Sequence, residues 1–334
     1  MKRRLLAYLV CQKCRCSFEA LADRIEGEEI IEGCLICPGC QDRFPVTRGI
    51  PRFLPRELSP AKQATASAFG YEWTHYSELT EADGAEFLDW IKPLDPAAFA
   101  GRVVLDAGCG KGRHLFLSAQ FSARDVIGID LSDAVEAAHQ NTRHLPNAHV
   151  IQADIYNLPF LAPFDLAYSI GVLHHLPDPK AGFLSVASHL KPGGRVSIWV
   201  YGKEGNRWIE QFVDPMRIHG TSKLPKPVTR AISLLLALPL YLALKLVYGP
   251  ANRLPRLAPL KRALPYADYL CAISSYSFAE NFWNVFDQLI APTAFYIRRE
   301  EVQDWFAAAN LAQTEISRRN NNSWRGTGLR TLSS

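Results

Sequence analysis

The stretch Val103-Val104-Leu105-Asp106-Ala107-Gly108-Cys109-Gly110-Lys111-Gly112-Arg113 contains the strongest fold signal in this sequence. A short apolar run that ends in an acidic residue and a glycine-rich turn predicts a buried strand followed by a ligand-binding loop. A dinucleotide fingerprint would need the spacing G-x-G-x-x-G. Counted from Gly108 the third glycine position is Arg113, and counted from Gly110 it is Leu115. The turn therefore does not fit a dinucleotide site.

The sequence around this turn alternates short β-branched runs with helical patterns, which predicts βαβ units and a parallel sheet. The predicted strands are 102–106, 125–130, 148–154, 164–171 and 195–201, with crossover helices after the glycine turn and at 132–144 and 180–190. The chain has 334 residues, of which 48% are hydrophobic and 21% charged, as in ordinary globular proteins. A formal charge of only +4 does not indicate a positive electrostatic potential over the whole surface that would attract polyanions.

Three of the predicted strands end in an acidic residue, namely Asp106, Asp130 and Asp154. A carboxylate at Asp106 would repel a pyrophosphate but would favour a ligand with an ammonium and a sulfonium group, as in S-adenosylmethionine. Asp130 stands where a carboxylate can accept hydrogen bonds from ribose hydroxyls. Asp154 is placed to accept a hydrogen bond from the adenine amine. Together they predict one cofactor pocket.

These residues resemble the class I S-adenosylmethionine-dependent methyltransferases of the type-11-like group. The family pattern Asp-x-Gly-x-Gly-x-Gly is matched by Asp106, Gly108, Gly110 and Gly112, and further family motifs follow at 164–176 and 190–195. The resemblance covers about residues 100–202 and implies a Rossmann-like sheet, mostly parallel, with a C-terminal antiparallel strand. It also implies methyl transfer from S-adenosylmethionine. The predicted cofactor-binding residues are Asp106, Gly108, Gly110, Gly112, Asp130, Leu131, Asp154, Ile155 and Ser169.

A catalytic residue is not identified by these motifs. His174 and His175 follow the fourth strand on the expected substrate side, and either could act as a base near neutral pH. A role in packing or in starting a helix is an equally good interpretation. Methyl transfer from a sulfonium is an in-line displacement, so positioning can supply much of the catalysis without a covalent residue.

The N-terminal segment concentrates six of the eight cysteines. Two C-x-x-C pairs, Cys11/Cys14 and Cys37/Cys40, are separated by 22 residues, a spacing that predicts two knuckles converging on one structural Zn²⁺. Either Cys16 or Cys34 could replace a ligand, and a disulfide-stapled secreted module is the alternative. The short apolar run after Met1 is not interpreted as a signal peptide. Residues 8–55 resemble the small zinc-ribbon proteins that activate tRNA and protein methyltransferases.

A basic and apolar insertion interrupts the alternation after the fifth strand. Residues 201–270 contain eleven basic and four acidic residues, a net charge of +7, and include an uncharged run over residues 231–244. This run is short for a membrane span. It is therefore interpreted as a cap helix over the pocket or as an interfacial helix on anionic lipid, with possible peripheral membrane contact through 228–248.

The expected domains are a zinc ribbon at 1–58, a linker with packing helices at 59–100, and the cofactor-binding core at 101–202. The helical cap insertion follows at 203–292, and residues 293–334 complete the sheet and end in a flexible polar tail. We expect a cytoplasmic enzyme, either free or peripheral at the membrane.

The predicted activity is methyl transfer to a hydrophobic or lipid-linked small molecule, such as a quinone, isoprenoid, polyketide or lipid-linked sugar. Nucleic acid is a less favoured partner, because residues 1–60 carry ten basic and eight acidic residues and no basic-aromatic surface stands out. Two alternatives stay open. One is an RNA base methyltransferase with an RNA-contacting zinc ribbon, and the other is a non-catalytic methyltransferase-like scaffold.

Overall fold

The computed structural model describes residues 1–80 and 82–331, which form one continuous sheet covered by helices. The strands are β1 (Glu19–Glu26), β2 (Glu29–Ile36), β3 (Arg43–Thr47), β4 (Ile50–Phe53), β5 (Val103–Ala107), β6 (Asp125–Asp130), β7 (Ala148–Ala153), β8 (Phe164–Ile170), β9 (Leu190–Tyr201), β10 (Leu311–Arg319) and β11 (Ser323–Arg330). Their spatial order is β1-β2-β3-β4-β7-β6-β5-β8-β9-β11-β10.

Helices cover the faces and the carboxyl edge of this sheet. They are α1 (Pro60–His75), α2 (Ala82–Trp90), α3 (Arg113–Gln120), α4 (Ala134–Thr142), α5 (Pro179–Ser188), α6 (Asp214–His219), α7 (Lys226–Ala243), α8 (Gly249–Arg253), α9 (Ala258–Ala263), α10 (Ala267–Ala272), α11 (Phe278–Ile290) and α12 (Arg299–Ala308). Helices α6 to α11 form the cap that was predicted for the insertion.

The central strands are parallel and buried on both faces, which explains why they read as apolar runs. All five residues of β5 are buried, and β5 pairs in parallel with β6 and β8. The side chains of Leu105 and Val104 belong to two different apolar clusters, because successive residues of a strand point to opposite faces. The predicted α/β, Rossmann-like fold with a zinc-ribbon-like N-terminus and a helical cap is confirmed.

The N-terminal ribbon extends the central sheet. Strand β4 pairs antiparallel with β3 and parallel with β7, through Arg52 opposite Gln152 and Phe53 opposite Ala153. The side chain of Arg52 also donates a 2.7 Å hydrogen bond to Gln152. The ribbon is thus joined to the core by backbone hydrogen bonds, which the division at residue 58 did not anticipate.

The C-terminal segment differs from its prediction. One antiparallel strand and a flexible polar tail were expected, whereas β11 lies between β9 and β10 and is antiparallel to both. Thr327 is buried and donates a 2.9 Å hydrogen bond to the carbonyl of Val196. Gly326 lies where an added Cβ would be 2.9 Å from the ring of Phe306. The small and polar composition of this strand therefore serves close packing. The last predicted tail residues, 332–334, lie outside the described residues.

Candidate active site

The four predicted metal ligands converge. The sulfur atoms of Cys11, Cys14, Cys37 and Cys40 all lie within 4.8 Å of one another. Each pair sits on a matching knuckle, in which the backbone N–H four residues after the first cysteine donates to its carbonyl at 2.9 Å. Four thiolates in this arrangement fit a closed tetrahedral Zn²⁺ site, which would stabilise the ribbon and leave no open position for catalysis.

The two additional cysteines are not among these four ligands, although the Cys16 thiol borders the cluster beside Cys14 and Cys37. The Cys16 thiol contacts the carbonyl of Cys14 at 3.8 Å, and the Cys34 thiol contacts the carbonyl of Leu35 at 3.6 Å. All eight cysteines of the chain are free thiols, so the alternative of a disulfide-stapled module does not apply.

The glycine turn after β5 forms the floor of a cavity of about 510 Å³, within the usual size range of cofactor sites. Gly108 has φ +91°, and a Cβ at this position would lie 2.4 Å from a methyl carbon of Val172. Gly110 has φ +50° and faces the indole ring of Trp73, at 3.3 Å from a virtual Cβ. Both glycines line the cavity, so their backbone is open to a ligand.

Asp130 lies at the end of β6 and lines the same cavity. Its carboxylate accepts hydrogen bonds from the backbone N–H of Gly110 at 3.0 Å and of Ser132 at 2.9 Å. Burial raises the pKa of this carboxyl, and the hydrogen bonds from Ser132 and Gly110 oppose that shift. The carboxylate is therefore held in a fixed orientation beside the glycine turn. Free lone pairs on it fit the ribose hydroxyls of S-adenosylmethionine, and Leu131 and Ile155 add apolar walls.

Asp154 also lines the cavity, but it is engaged by a lysine that the sequence analysis did not identify. Lys62 of α1 forms a salt bridge with its carboxylate and lies 4.2 Å from the centroid of the Tyr156 ring. The second carboxylate oxygen accepts a 3.1 Å hydrogen bond from the backbone N–H of Tyr156. Helix α1 thus closes one side of the cavity, in a segment interpreted from the sequence only as packing helices.

Three predicted cofactor residues lie behind the cavity wall. Asp106 is 1% exposed, and burial raises the pKa of its carboxyl to about 8. Gly112 packs against helix α4, with a virtual Cβ 2.9 Å from the Cα of Ala138. Ser169 donates a 2.8 Å hydrogen bond to the carbonyl of Ala107. None of the three lines the cavity, so they shape the turn from behind it, and their role in cofactor binding stays a prediction.

The two candidate histidines are both buried, in a short 3-10 helix after β8. His175 lines the cavity and donates through Nδ1 to the carbonyl of Thr293 at 2.6 Å. Burial lowers the pKa of His175 to about 4 and that of His174 well below its usual range. Both rings are therefore neutral near pH 7, and neither is a strong base. His174 stacks on Tyr201 at 3.9 Å, which supports its packing role.

A pair of acidic residues at the end of the cavity formed by α1 and α11 was missed by the sequence analysis. Glu72 of α1 is 1% exposed, and Asp287 of α11 lines the cavity beside it. Burial, followed by the charge of Asp287, raises the pKa of Glu72 well above its usual range. Burial raises the pKa of Asp287 to about 6, and Tyr201 donates to it at 3.4 Å. This end can hold one proton and one carboxylate near neutral pH.

Aromatic rings surround these carboxyl groups. The rings of Tyr76 and Trp283 are stacked at 4.9 Å, and those of Trp90 and Trp199 lie 5.3 Å apart. The aromatic residues on the cavity wall include Trp73, Tyr76, Trp199, Tyr201, Tyr269 and Trp283. They come from α1, β9, α10 and α11, so the site is assembled from distant parts of the chain. A flat, apolar acceptor with a removable proton fits such walls.

Comparison with known proteins identifies the core. Residues 104–194 match the family described as "Methyltransferase domain". This part of the chain is a class I methyltransferase domain. The predicted enzyme class and its cofactor, S-adenosylmethionine, are confirmed at this level. One solved structure with distant similarity to this chain is that of magnesium protoporphyrin IX methyltransferase from Synechocystis PCC 6803. It is 14% identical, with TM-score 0.45, over 83% of this chain and 100% of that chain.

Curated relatives of the methyltransferase are named tRNA U34 carboxymethyltransferase. The protein from Pseudoalteromonas translucida is 36% identical over 122 residues, which is 36% of each chain, and that from Serratia proteamaculans is 33% identical over 164 residues, 48% of each chain. The chain thus spans between a third and a half of the length of these relatives. Their names contradict the predicted hydrophobic or lipid-linked acceptor and the low rank given to nucleic acid, because they specify an RNA.

Proposed function

We propose that this methyltransferase transfers a methyl group from S-adenosylmethionine to a base of structured RNA, with tRNA as the first substrate class to test. The proposal is carried by one continuous cavity that joins the glycine turn and Asp130 to an aromatic end with two carboxyl groups, the buried Glu72 and the half-buried Asp287. The names of the curated relatives support the choice of RNA over a lipid acceptor. When bound, the cofactor supplies an activated methyl group on its sulfonium.

The aromatic end suits a base that has left its stack. Enzymes that modify a base bind it in a closed pocket, where rings cover its faces and polar groups contact its edge. The rings of Tyr76, Trp283 and Tyr201 provide such faces. Tyr76 directly follows α1 and Trp283 lies in the cap, so their stacked rings join these two elements beside the proposed base site.

Asp287 is the group best placed to accept a proton from the acceptor. It faces the cavity, its pKa is raised to about 6, and its orientation is fixed by a hydrogen bond from Tyr201. A base with a pKa near the working pH is favourable for general catalysis. The amide of Gln288 donates to the hydroxyl of Tyr201 at 2.9 Å, which directs the tyrosine proton toward Asp287. Glu72, which binds its proton more tightly, would stay neutral.

The test measures transfer from methyl-labelled S-adenosylmethionine into total tRNA by the full chain. We expect label in the tRNA fraction and none after ribonuclease digestion. Mass spectrometry of the nucleosides would identify the modified base and the position of the added methyl group.

Two variants test the cofactor site and the acceptor site one at a time. Asp130→Ala should lose binding of S-adenosylhomocysteine, whereas Asp287→Asn should keep this binding and lose transfer. Binding of the cofactor product together with absence of label in any RNA fraction would refute the RNA proposal. Unchanged transfer by Asp287→Asn would refute its role as the proton acceptor.

A further inference from the structure

Helix α7 buries its small and polar residues and exposes its large apolar ones. Thr229, Ser233 and Ala237 are fully buried, at spacings of four residues. On the opposite side of α7, three leucines are 49–75% exposed: Leu235, Leu238 and Leu242. Leu246, in the π-helical turn Leu244–Tyr248 that continues α7, is 72% exposed. At 3.6 residues per turn the two sets lie on opposite faces of the helix. A helix of a soluble domain normally has the reverse arrangement, with its apolar stripe turned inward.

The buried face is fully used by the fold, so the leucines cannot turn inward. It packs against α11, and small side chains allow two helices to approach closely. The hydroxyl of Thr229 donates to the carbonyl of Thr221 at 2.8 Å, and that of Ser233 donates to Thr229 at 2.8 Å. Rotation of α7 would break this packing. We call the exposed leucines 235, 238, 242 and 246 the α7 face.

The surroundings of the α7 face are basic. Residues 220–265 contain eight Lys and Arg residues and no Asp or Glu. Five of these basic residues are exposed and have no ion-pair partner among the described residues: Lys223, Arg230, Arg253, Arg256 and Arg262. They lie before, within and after the apolar helix. An exposed apolar stripe with cationic flanks is complementary to the acyl boundary and anionic headgroups of a bilayer.

We propose that the α7 face docks on an anionic lipid bilayer, with α7 lying in the plane of the interface. The helical stretch Lys226–Arg253 contains an 18-residue window of mean hydropathy 2.0 and is long enough to span a membrane. Its contacts with α11 favour the surface orientation instead. Lys245 also holds the stretch to the cap, because its ammonium donates to the carbonyls of Ser274 and Tyr276 at 2.8 and 2.7 Å. This inference is independent of the RNA proposal.

The test is flotation of the full chain with vesicles of phosphatidylcholine alone or mixed with phosphatidylglycerol. We expect binding to the mixed vesicles that weakens with added salt, since exposed charges are screened. The double variant Leu235→Glu/Leu246→Glu should lower the partition coefficient by about tenfold or more, because two exposed leucines no longer enter the interface. Leu161→Glu, at a 53% exposed leucine between β7 and β8, is the matched control and should bind as the parent does.

A second variant tests the charge complementarity. Arg253→Gln/Arg256→Gln/Arg262→Gln should lose the preference for phosphatidylglycerol and keep the same weak binding to neutral vesicles. Binding of S-adenosylhomocysteine by every variant confirms that each one is folded.

Several results would overturn the proposal. They are absence of binding to anionic vesicles, equal binding by the leucine double variant, and an equal loss in Leu161→Glu. Retention in vesicles after alkaline carbonate extraction would show a spanning helix and refute the surface orientation. Loss of tRNA binding by the leucine variant, without vesicle binding by the parent, would assign the α7 face to RNA.

Discussion

Replacing Gly108 by alanine should damage both the fold and the cofactor site. The new Cβ would lie 2.4 and 2.6 Å from the two methyl carbons of Val172, well inside the usual contact distance of about 3.5–4.0 Å. Overpacking of this kind costs about 1–3 kcal/mol. The backbone at φ +91° adds about 1–3 kcal/mol for a residue with a Cβ. We therefore expect the free energy of unfolding to fall by about 2–6 kcal/mol.

A double-mutant cycle with Val172→Ala separates the two contributions. In the double variant, removal of the valine methyls should recover the free energy of unfolding that overpacking cost. The loss caused by the strained backbone at position 108 should stay. Urea unfolding gives the free energies of unfolding. Calorimetric titration measures the affinity for S-adenosylhomocysteine, which should be at least about tenfold weaker in Gly108→Ala. A Gly108→Ala variant as stable as the parent, or a cycle without coupling, would refute the close approach of the turn to Val172.

Three further predictions concern other parts of the molecule. Transfer by the parent should fall as pH drops below about 6, where Asp287 becomes protonated, while Asp287→Asn should show little activity at any pH. The carboxyl of Asp287 has a higher pKa in the folded state than its ordinary value of 3.8. In unfolding titrations, the stability of the parent should therefore fall relative to that of Asp287→Asn as pH rises from about 4 to 6. Cys37→Ser should abolish stoichiometric zinc and lower the melting temperature, because the ribbon loses its cross-link, whereas Cys34→Ser should keep the metal. Ser277→Ala removes the N-cap of α11 and should cost about 1 kcal/mol in urea unfolding, because the Glu280 amide loses its 3.2 Å hydrogen bond.

Local patterns predicted the central half of the molecule well. The strand over 125–130 has the predicted bounds, and the glycine turn occurs where the fold required positive φ. The four cysteines that converge were also identified, because their spacing is itself the constraint that brings two knuckles together. Strand β9 was predicted to start at Arg195 but begins at Leu190, because Leu190 pairs with Phe164 of β8 ahead of an irregular segment that contains two glycines.

The interpretation of the insertion shows where composition misleads. Its apolar and basic character predicted a hydrophobic acceptor, which the names of the curated relatives contradict. The large leucines of α7 point away from its contacts with α11, and the cavity end is lined by aromatic and acidic residues. Hydropathy alone does not state which face of a helix is buried, because that depends on the partner element.

The sequence by itself determined the Rossmann-like core, the cofactor turn and the cysteine cluster, because each depends on residues close together in the chain. Only the tertiary structure placed Glu72 of α1 beside Asp287 of α11, residues more than two hundred positions apart. It also showed that Asp106 lies behind the cavity wall and that Asp154 forms a salt bridge with Lys62. Burial and long-range contacts set these pKa values and pairings, and they arise only when α1 and the cap close over the carboxyl edge of the sheet.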